Sequence, residues 1–220
     1  MNFSAEAALY YILRLRMVET QLRERGIRDE RVLAAMSRVP RHEFTPDAFR
    51  NQAYADHPSP IGEGQTISQP YIVALMLEAL ALVPSDTVLE IGTGSGYVTA
   101  LLADLTAKVV SIERHAVLAD EARGALSRLG YTNVKAITGD GTQGYEASAP
   151  YDSIIVSAAT SEIPPALLAQ LAEGGRMIIP VGASDAQQLQ LIRMRNGRPE
   201  TTWHETCRFV PLVRGLTRLS

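Results

Sequence analysis

Apolar positions fall into two regimes along this chain. Over residues 4–25, Leu15, Val18 and Leu22 recur at helical spacing, with Ser4 placed to cap the helix and Gly26 to end it. A second short helix starts at Asp29, carries Val32, Leu33 and Met36 as its apolar positions, and stops before Pro40. Residues 40–70 show no period and are punctuated by Pro and Gly, which predicts a long irregular segment. Segments of that kind in compact domains often carry function.

From residue 71 the pattern changes. An apolar helix over 71–82 leads to a β-rich run at 87–91, a glycine turn and a helix to about 106. Strands at 109–112 and 134–137 flank a helix over 116–129, which Gly130 stops. A buried strand at 153–156, a helix at 165–171 and a strand at 177–181 follow. Late apolar runs at 188–194 and 202–210 are joined by Asn196-Gly197, a strong hairpin signal. Strands alternating with helices predict an α/β fold. Its doubly wound, mostly parallel sheet carries an antiparallel hairpin at one edge and an N-terminal helical extension. The length of 220 residues suits a single domain, with helices and a loop over 1–70 and the α/β core over 71–220.

Composition narrows the function classes. A net charge of −3, from 21 basic and 24 acidic residues, gives no basic excess that would favour nucleic acid as a partner. The single cysteine, Cys207, excludes an internal disulfide and suggests a reducing compartment; it reads as a small half-buried strand residue. No Cys/His set has zinc spacing, so no metal is expected. The apolar stretch 9–13 is interrupted by Arg14 and Arg16, and no apolar run approaches ~18 residues. The reading is therefore cytoplasmic, with no membrane partner.

The chemistry starts at Gly92. A dinucleotide fingerprint reads GxGxxG after a strand, but here Gly92, Gly94 and Gly96 give GxGxG, and Tyr97 holds the last position. Glycines let backbone approach a ligand, and the following helix offers free N–H groups. Glu90, two residues before Gly92, would repel a pyrophosphate and suit a cationic ligand. Glu113 ends the next strand, about 20 residues past the loop, where an acid binds ribose hydroxyls. Asp140 ends the third strand, placed to accept an adenine amino group, with the Gly141 N–H beside it. Three acids in register with a glycine loop point to S-adenosylmethionine, which carries a sulfonium and an ammonium and no phosphate.

These stretches, VLEIGTGSGY, SIER, GDG and APYD, resemble those of class I methyltransferases. GQTISQPYIVA, with AMSRVPRHEF upstream and RFVPLV downstream, resembles protein-L-isoaspartate O-methyltransferases over about 17–214. The resemblance implies methylation of the α-carboxylate of isoaspartyl residues in damaged proteins and peptides, which starts repair through a succinimide. It implies Gly92, Gly94, Ser95 and Gly96 at the methionine end of the cofactor, Glu113 and Arg114 at the ribose, and Asp140 and Gly141 at adenine. Gln65, Thr66 and Ile67 would cover the reactive end, with Ser68 in the active-site serine position. Val213 follows Leu212 where some members carry polar cofactor contacts, so no C-terminal contact is assigned.

A substrate carboxylate, with a pKa near 4, is ionised at neutral pH and needs no general base. Ser68 also reads as a helix N-cap, two residues before Pro70. His42, His57, His115 and His204 read as surface or structural, and Phe44 and Tyr54 as packing residues. The alternatives are a methyltransferase for another carboxylate or a small molecule, an NAD-dependent oxidoreductase, and a non-catalytic cofactor-binding module.

Overall fold

The computed structural model describes residues 5–183 and 186–216, with the backbone alone at Trp203 and His204. Ser4 lies outside the described residues, as does the His204 side chain.

The N-terminal region opens with α1 (Ala5–Arg16), which continues as a π-helical stretch over Met17–Arg23. Wider turns break the expected helical register. Val18 and Leu22 are buried, whereas Leu15, predicted on the same face, is turned to solvent. Asp29 caps α2 (Glu30–Arg38), accepting from the N–H groups of Arg31 and Val32. Two 3-10 turns follow, Arg41–Phe44 and Asp47–Gln52. The segment predicted as irregular also holds a hairpin, β1 (Ser59–Gly62) and β2 (Gln65–Ile67). Its tip turns through positive φ at Gly62, Glu63 and Gly64. Strands this short show no legible alternation, which explains why the sequence pattern misses them.

Helix α3 (Pro70–Leu80) starts with Pro at its first turn, where the missing N–H costs nothing, and ends on Ala81 in the left-handed region. The core then alternates: β3 (Thr87–Ile91), α4 (Tyr97–Leu105), β4 (Lys108–Glu113), α5 (Ala116–Arg128), β5 (Val134–Thr138) and β6 (Tyr151–Val156). The remainder is α6 (Pro165–Ala169), β7 (Leu171–Ala183), β8 (Ala186–Arg195) and β9 (Arg198–Cys207). The seven-stranded sheet has the order β5-β4-β3-β6-β7-β8-β9. Its first five strands pair in parallel, and β8 and β9 add antiparallel edge pairs. The β8–β9 turn uses Asn196 and Gly197, both at positive φ, as the hairpin signal requires.

β3 is covered on both faces: Val88, Leu89, Glu90 and Ile91 are all buried, as central strands of parallel sheets are. From β3 the chain winds outward through β4 to β5, then returns to place β6 on the other side of β3. The strand order therefore reverses between β3 and β6. Open α/β sheets bind ligands outside the C-terminal ends of their strands at such a point. One hydrophobic cluster runs from Met17 and Val32 through Leu77 and Leu101 to Leu191, so the N-terminal helices share a core with the sheet.

Candidate active site

The cavity at the reversal point measures about 310 Å³ and is walled by the glycine loop, the 65–68 segment, the end of β4 and residues 210–213. The loop's shape follows from its hydrogen bonds. Gly92 N–H donates to Ile112 O at 2.8 Å, Ser157 N–H to Ile91 O at 2.8 Å, and Gly96 N–H to Thr93 O at 2.9 Å. Gly92, Gly94 and Gly96 have φ of 91°, 52° and 90°, where a side chain is strained, so the glycines are conformationally required.

Glu113 is buried at the cavity wall, with its carboxylate held on both oxygens. Gly94 N–H donates to Oε2 at 2.9 Å and His115 N–H to Oε1 at 3.0 Å. The carboxylate is thereby oriented, and its remaining lone pairs are available to vicinal hydroxyls. The β1–β2 hairpin packs against the loop at Gly94 and reaches His115. A Cβ on Gly94 would lie 3.2 Å from Ile61 Cδ1, and Glu63 Oε2 at the hairpin tip is 3.4 Å from His115 Nδ1.

Of the residues singled out from sequence, Gln65, Thr66, Ile67, Ser68, Gly92, Gly94, Ser95, Glu113, Arg114 and Gly141 share this one cavity. Gly96 is not on its wall: it packs under the loop, where a Cβ would sit 3.2 Å from Ala122 Cβ. Asp140 is also off the wall. Its Oδ1 accepts from Thr142 N–H and Oγ1, its Oδ2 accepts from Gly215 N–H at 2.8 Å, and these bonds hold its pKa below the usual carboxylate value against the opposing effect of desolvation.

Sequence reasoning missed Ser157 and Ala158, which follow β6, and assigned no cofactor contact at the C-terminal end, where Phe209 to Leu212 read either as a border of the peptide site or as strand packing; the structure puts 210–213 on the cavity wall. The end of β6 was open to inference, because the strand pairing puts Val156 beside Ile91. The place of the 210–213 segment was not: Ala159 N–H donates to Val210 O and Leu212 N–H to Ala159 O, a pairing that no local pattern announces.

Glu90 departs from expectation. It is fully buried beneath the loop and does not face a ligand across the cavity. Thr99 Oγ1 donates to its Oε2 at 2.5 Å and Ser111 Oγ at 2.6 Å, while Thr93 Oγ1 lies 2.5 Å from Ser111 Oγ. Burial pushes its pKa up to about 8, against the opposing pull of the two hydroxyl donors, which favours the neutral acid at pH 7. Its Oε1 is buried without a hydrogen-bond partner. The folded form therefore binds a proton that the unfolded chain has released between the ordinary value of 4.5 and about 8. Stability must fall as pH rises through that window. Glu90→Gln, which mimics the protonated acid, removes the slope. The variant's melting temperature is expected to gain on the wild type as pH rises from 5 to 8, by on the order of 5 °C at pH 8. Parallel melting curves across that range would contradict this account of Glu90.

These features fit S-adenosylmethionine. An oriented acid at the cavity wall suits ribose hydroxyls. The Gly141 backbone approaches so closely that a Cβ would lie 2.4 Å from Ile91 Cγ2. The cavity also joins the glycine loop to the 65–68 segment, which carries no charged side chain and places no competing charge beside a sulfonium. No helix of the described residues is long and apolar enough to cross a membrane, and among them no His/Cys/Asp/Glu group could hold a metal ion.

Comparisons with known proteins agree with this geometry. The family model described as Protein-L-isoaspartate(D-aspartate) O-methyltransferase matches residues 14–217. A protein-L-isoaspartate O-methyltransferase of Koribacter versatilis is 58% identical over 200 residues, covering 91% of this chain and 90% of the relative. One from Methanoculleus marisnigri is 57% identical over 197 residues, covering 90% of each. A Plasmodium falciparum structure, described as a protein-L-isoaspartate O-methyltransferase in complex with S-adenosyl-L-homocysteine, superposes with a TM-score of 0.81 at 29% identity. The match covers 92% of this chain and 99% of that one. The chain belongs to the protein-L-isoaspartate(D-aspartate) O-methyltransferase family.

Proposed function

We propose a division of labour among the cavity residues for the family's reaction, S-adenosylmethionine-dependent methylation of the α-carboxylate of L-isoaspartyl residues in proteins and peptides. The observation that carries the reading is the single cavity joining the glycine loop and Glu113 to the uncharged 65–68 segment.

When bound, S-adenosylmethionine supplies a methyl group made electrophilic by its sulfonium. The 92–95 loop and the start of α4 hold the methionine end, Glu113 and Arg114 the ribose, and Asp140 and Gly141 the adenine side. Gln65, Thr66 and Ile67 shape the wall at the reacting centre. The Ser68 hydroxyl donates to the isoaspartyl carboxylate and aims one oxygen at the methyl carbon. The carboxylate is already ionised, so no side chain need take a proton. Anion and sulfonium cancel charge as they react, which favours a site that aligns them and excludes water. A segment with hydroxyl and amide groups and no competing charge does both.

Ser68 is free for this role. The N-cap of α3 is Gln69, which makes no side-chain cap bond, so the capping explanation for Ser68 falls away. Residues 1–70 carry the substrate loop and 71–220 the cofactor core, working as one domain. The protein acts in the cytoplasm on polypeptides, not on nucleic acid or membrane. Cys207 takes no part: it is half-buried, and desolvation pushes its thiol up to about 11.

The test is methyl transfer from labelled S-adenosylmethionine to a synthetic isoaspartyl peptide, with its aspartyl isomer and small acids as controls. Base-labile label on the isoaspartyl peptide alone is expected. Label on the small acids instead, or none at all in protein that binds S-adenosylhomocysteine, would overturn the substrate assignment.

A further inference from the structure

Arg41 is among the largest fully buried side chains of the described residues, with no exposed surface. A guanidinium inside a protein is normally matched by a carboxylate, because an unpaired buried charge is costly. Here no carboxylate pairs with it among the described residues. Instead it bridges two backbone carbonyls from distant segments. Nε donates to Ala53 O at 2.7 Å and Nη2 to Ser68 O at 2.8 Å. Its Cζ also stands 4.9 Å from the ring centroid of Tyr97, which lines the cofactor cavity at the start of α4.

The segment it grips has few other anchors. β2 is three residues long and pairs only with β1, and the next tie is one bond from Gln69 Nε2 to Asp56 O at 3.2 Å. Ser68 lies between that strand and α3, in no regular element. Its carbonyl would otherwise have to find water. Uncharged packing could fill the same volume, whereas a planar fork with two donors at fixed separation fixes two carbonyls relative to each other.

We propose that Arg41 is a positioning residue for methyl transfer: it clamps the Ser68 backbone against the 47–53 turn and so sets where the Ser68 hydroxyl points in the cavity. The inference rests on the active-site reading of Ser68.

The experiment compares Arg41→Lys, which keeps charge but loses the fork, and Arg41→Met, which loses both. Each is measured for steady-state kinetics with an isoaspartyl peptide, for S-adenosylhomocysteine affinity and for amide hydrogen exchange. Expected for Arg41→Lys are a kcat lower by about 10-fold or more and cofactor affinity within about 3-fold of wild type. Amide exchange should rise over 65–69 while the sheet stays protected. In a Ser68→Ala background the same change should cost little further kcat, because Arg41 acts through Ser68. If Arg41→Met does not fold, Arg41→Lys alone decides. Unchanged kcat with unchanged exchange at 65–69, or exchange rising equally across the whole chain, would overturn the proposal. Ser68→Ala turning over at the wild-type rate would sink the Ser68 reading instead, and the local exchange of Arg41→Lys would still report whether the clamp exists.

Discussion

Gly141→Ala is expected to weaken S-adenosylhomocysteine binding by about 10- to 100-fold while leaving the chain folded. The cause is steric. A Cβ at residue 141 would lie 2.4 Å from Ile91 Cγ2, a distance at which something must shift. Ile91 is the last residue of the central strand, buried, and held between β4 and β6. Its backbone cannot retreat, so the strain falls on the 140–143 turn or drives the Ile91 side chain into the cavity. Either outcome costs cofactor affinity. Gly139→Ala is the control from the same strand end: its Cβ would be 3.4 Å from Ile112 Cγ2, an ordinary contact, and affinity should stay within about 3-fold. Calorimetric titration of both variants measures the contrast. Equal affinities in the two would remove Gly141 from the cofactor site.

Ser68→Ala is expected to lower kcat with an isoaspartyl peptide by about 100-fold, equivalent to about 3 kcal/mol of transition-state stabilisation. Cofactor affinity should stay within about 3-fold, because in the proposed division of labour the hydroxyl serves the substrate and the 92–95 loop and Glu113 anchor the cofactor. Stability should change by less than about 0.5 kcal/mol, since the helix cap belongs to Gln69. The three readouts separate the roles. A helix-cap role predicts a lower melting temperature with kcat intact, and a cofactor role predicts a weaker complex. A kcat within 2-fold of wild type would take Ser68 out of the chemistry.

These two residues also show how far the sequence reads. Gly141 was legible as a glycine after a strand-end acid, and the structure adds the reason: the backbone runs against Ile91. Asp140 was legible as an acid at the same strand end, but its hydrogen bond to Gly215, 75 residues away, belongs to the tertiary structure. Glu90 was read from its place beside the glycines as a charge for a ligand. Burial under the loop instead outweighs two hydroxyl donors and makes it a neutral strut. Charge state depends on solvation, and solvation is not a local property of sequence.

The alternation of strand and helix, the Asn196-Gly197 turn and the GxGxG loop are local patterns, and each specified its element without help. Periodicity and backbone preference act within a few residues, so sequence alone determined the α/β class, the edge hairpin and the glycine loop. It could not determine that β6 lies beside β3, that residues 210–213 close one wall, or that Arg41 reaches across 27 residues to the carbonyl of Ser68. Those contacts join segments whose separation in sequence sets no distance in space. Only the packed sheet and the shared core of its N-terminal helices decided them.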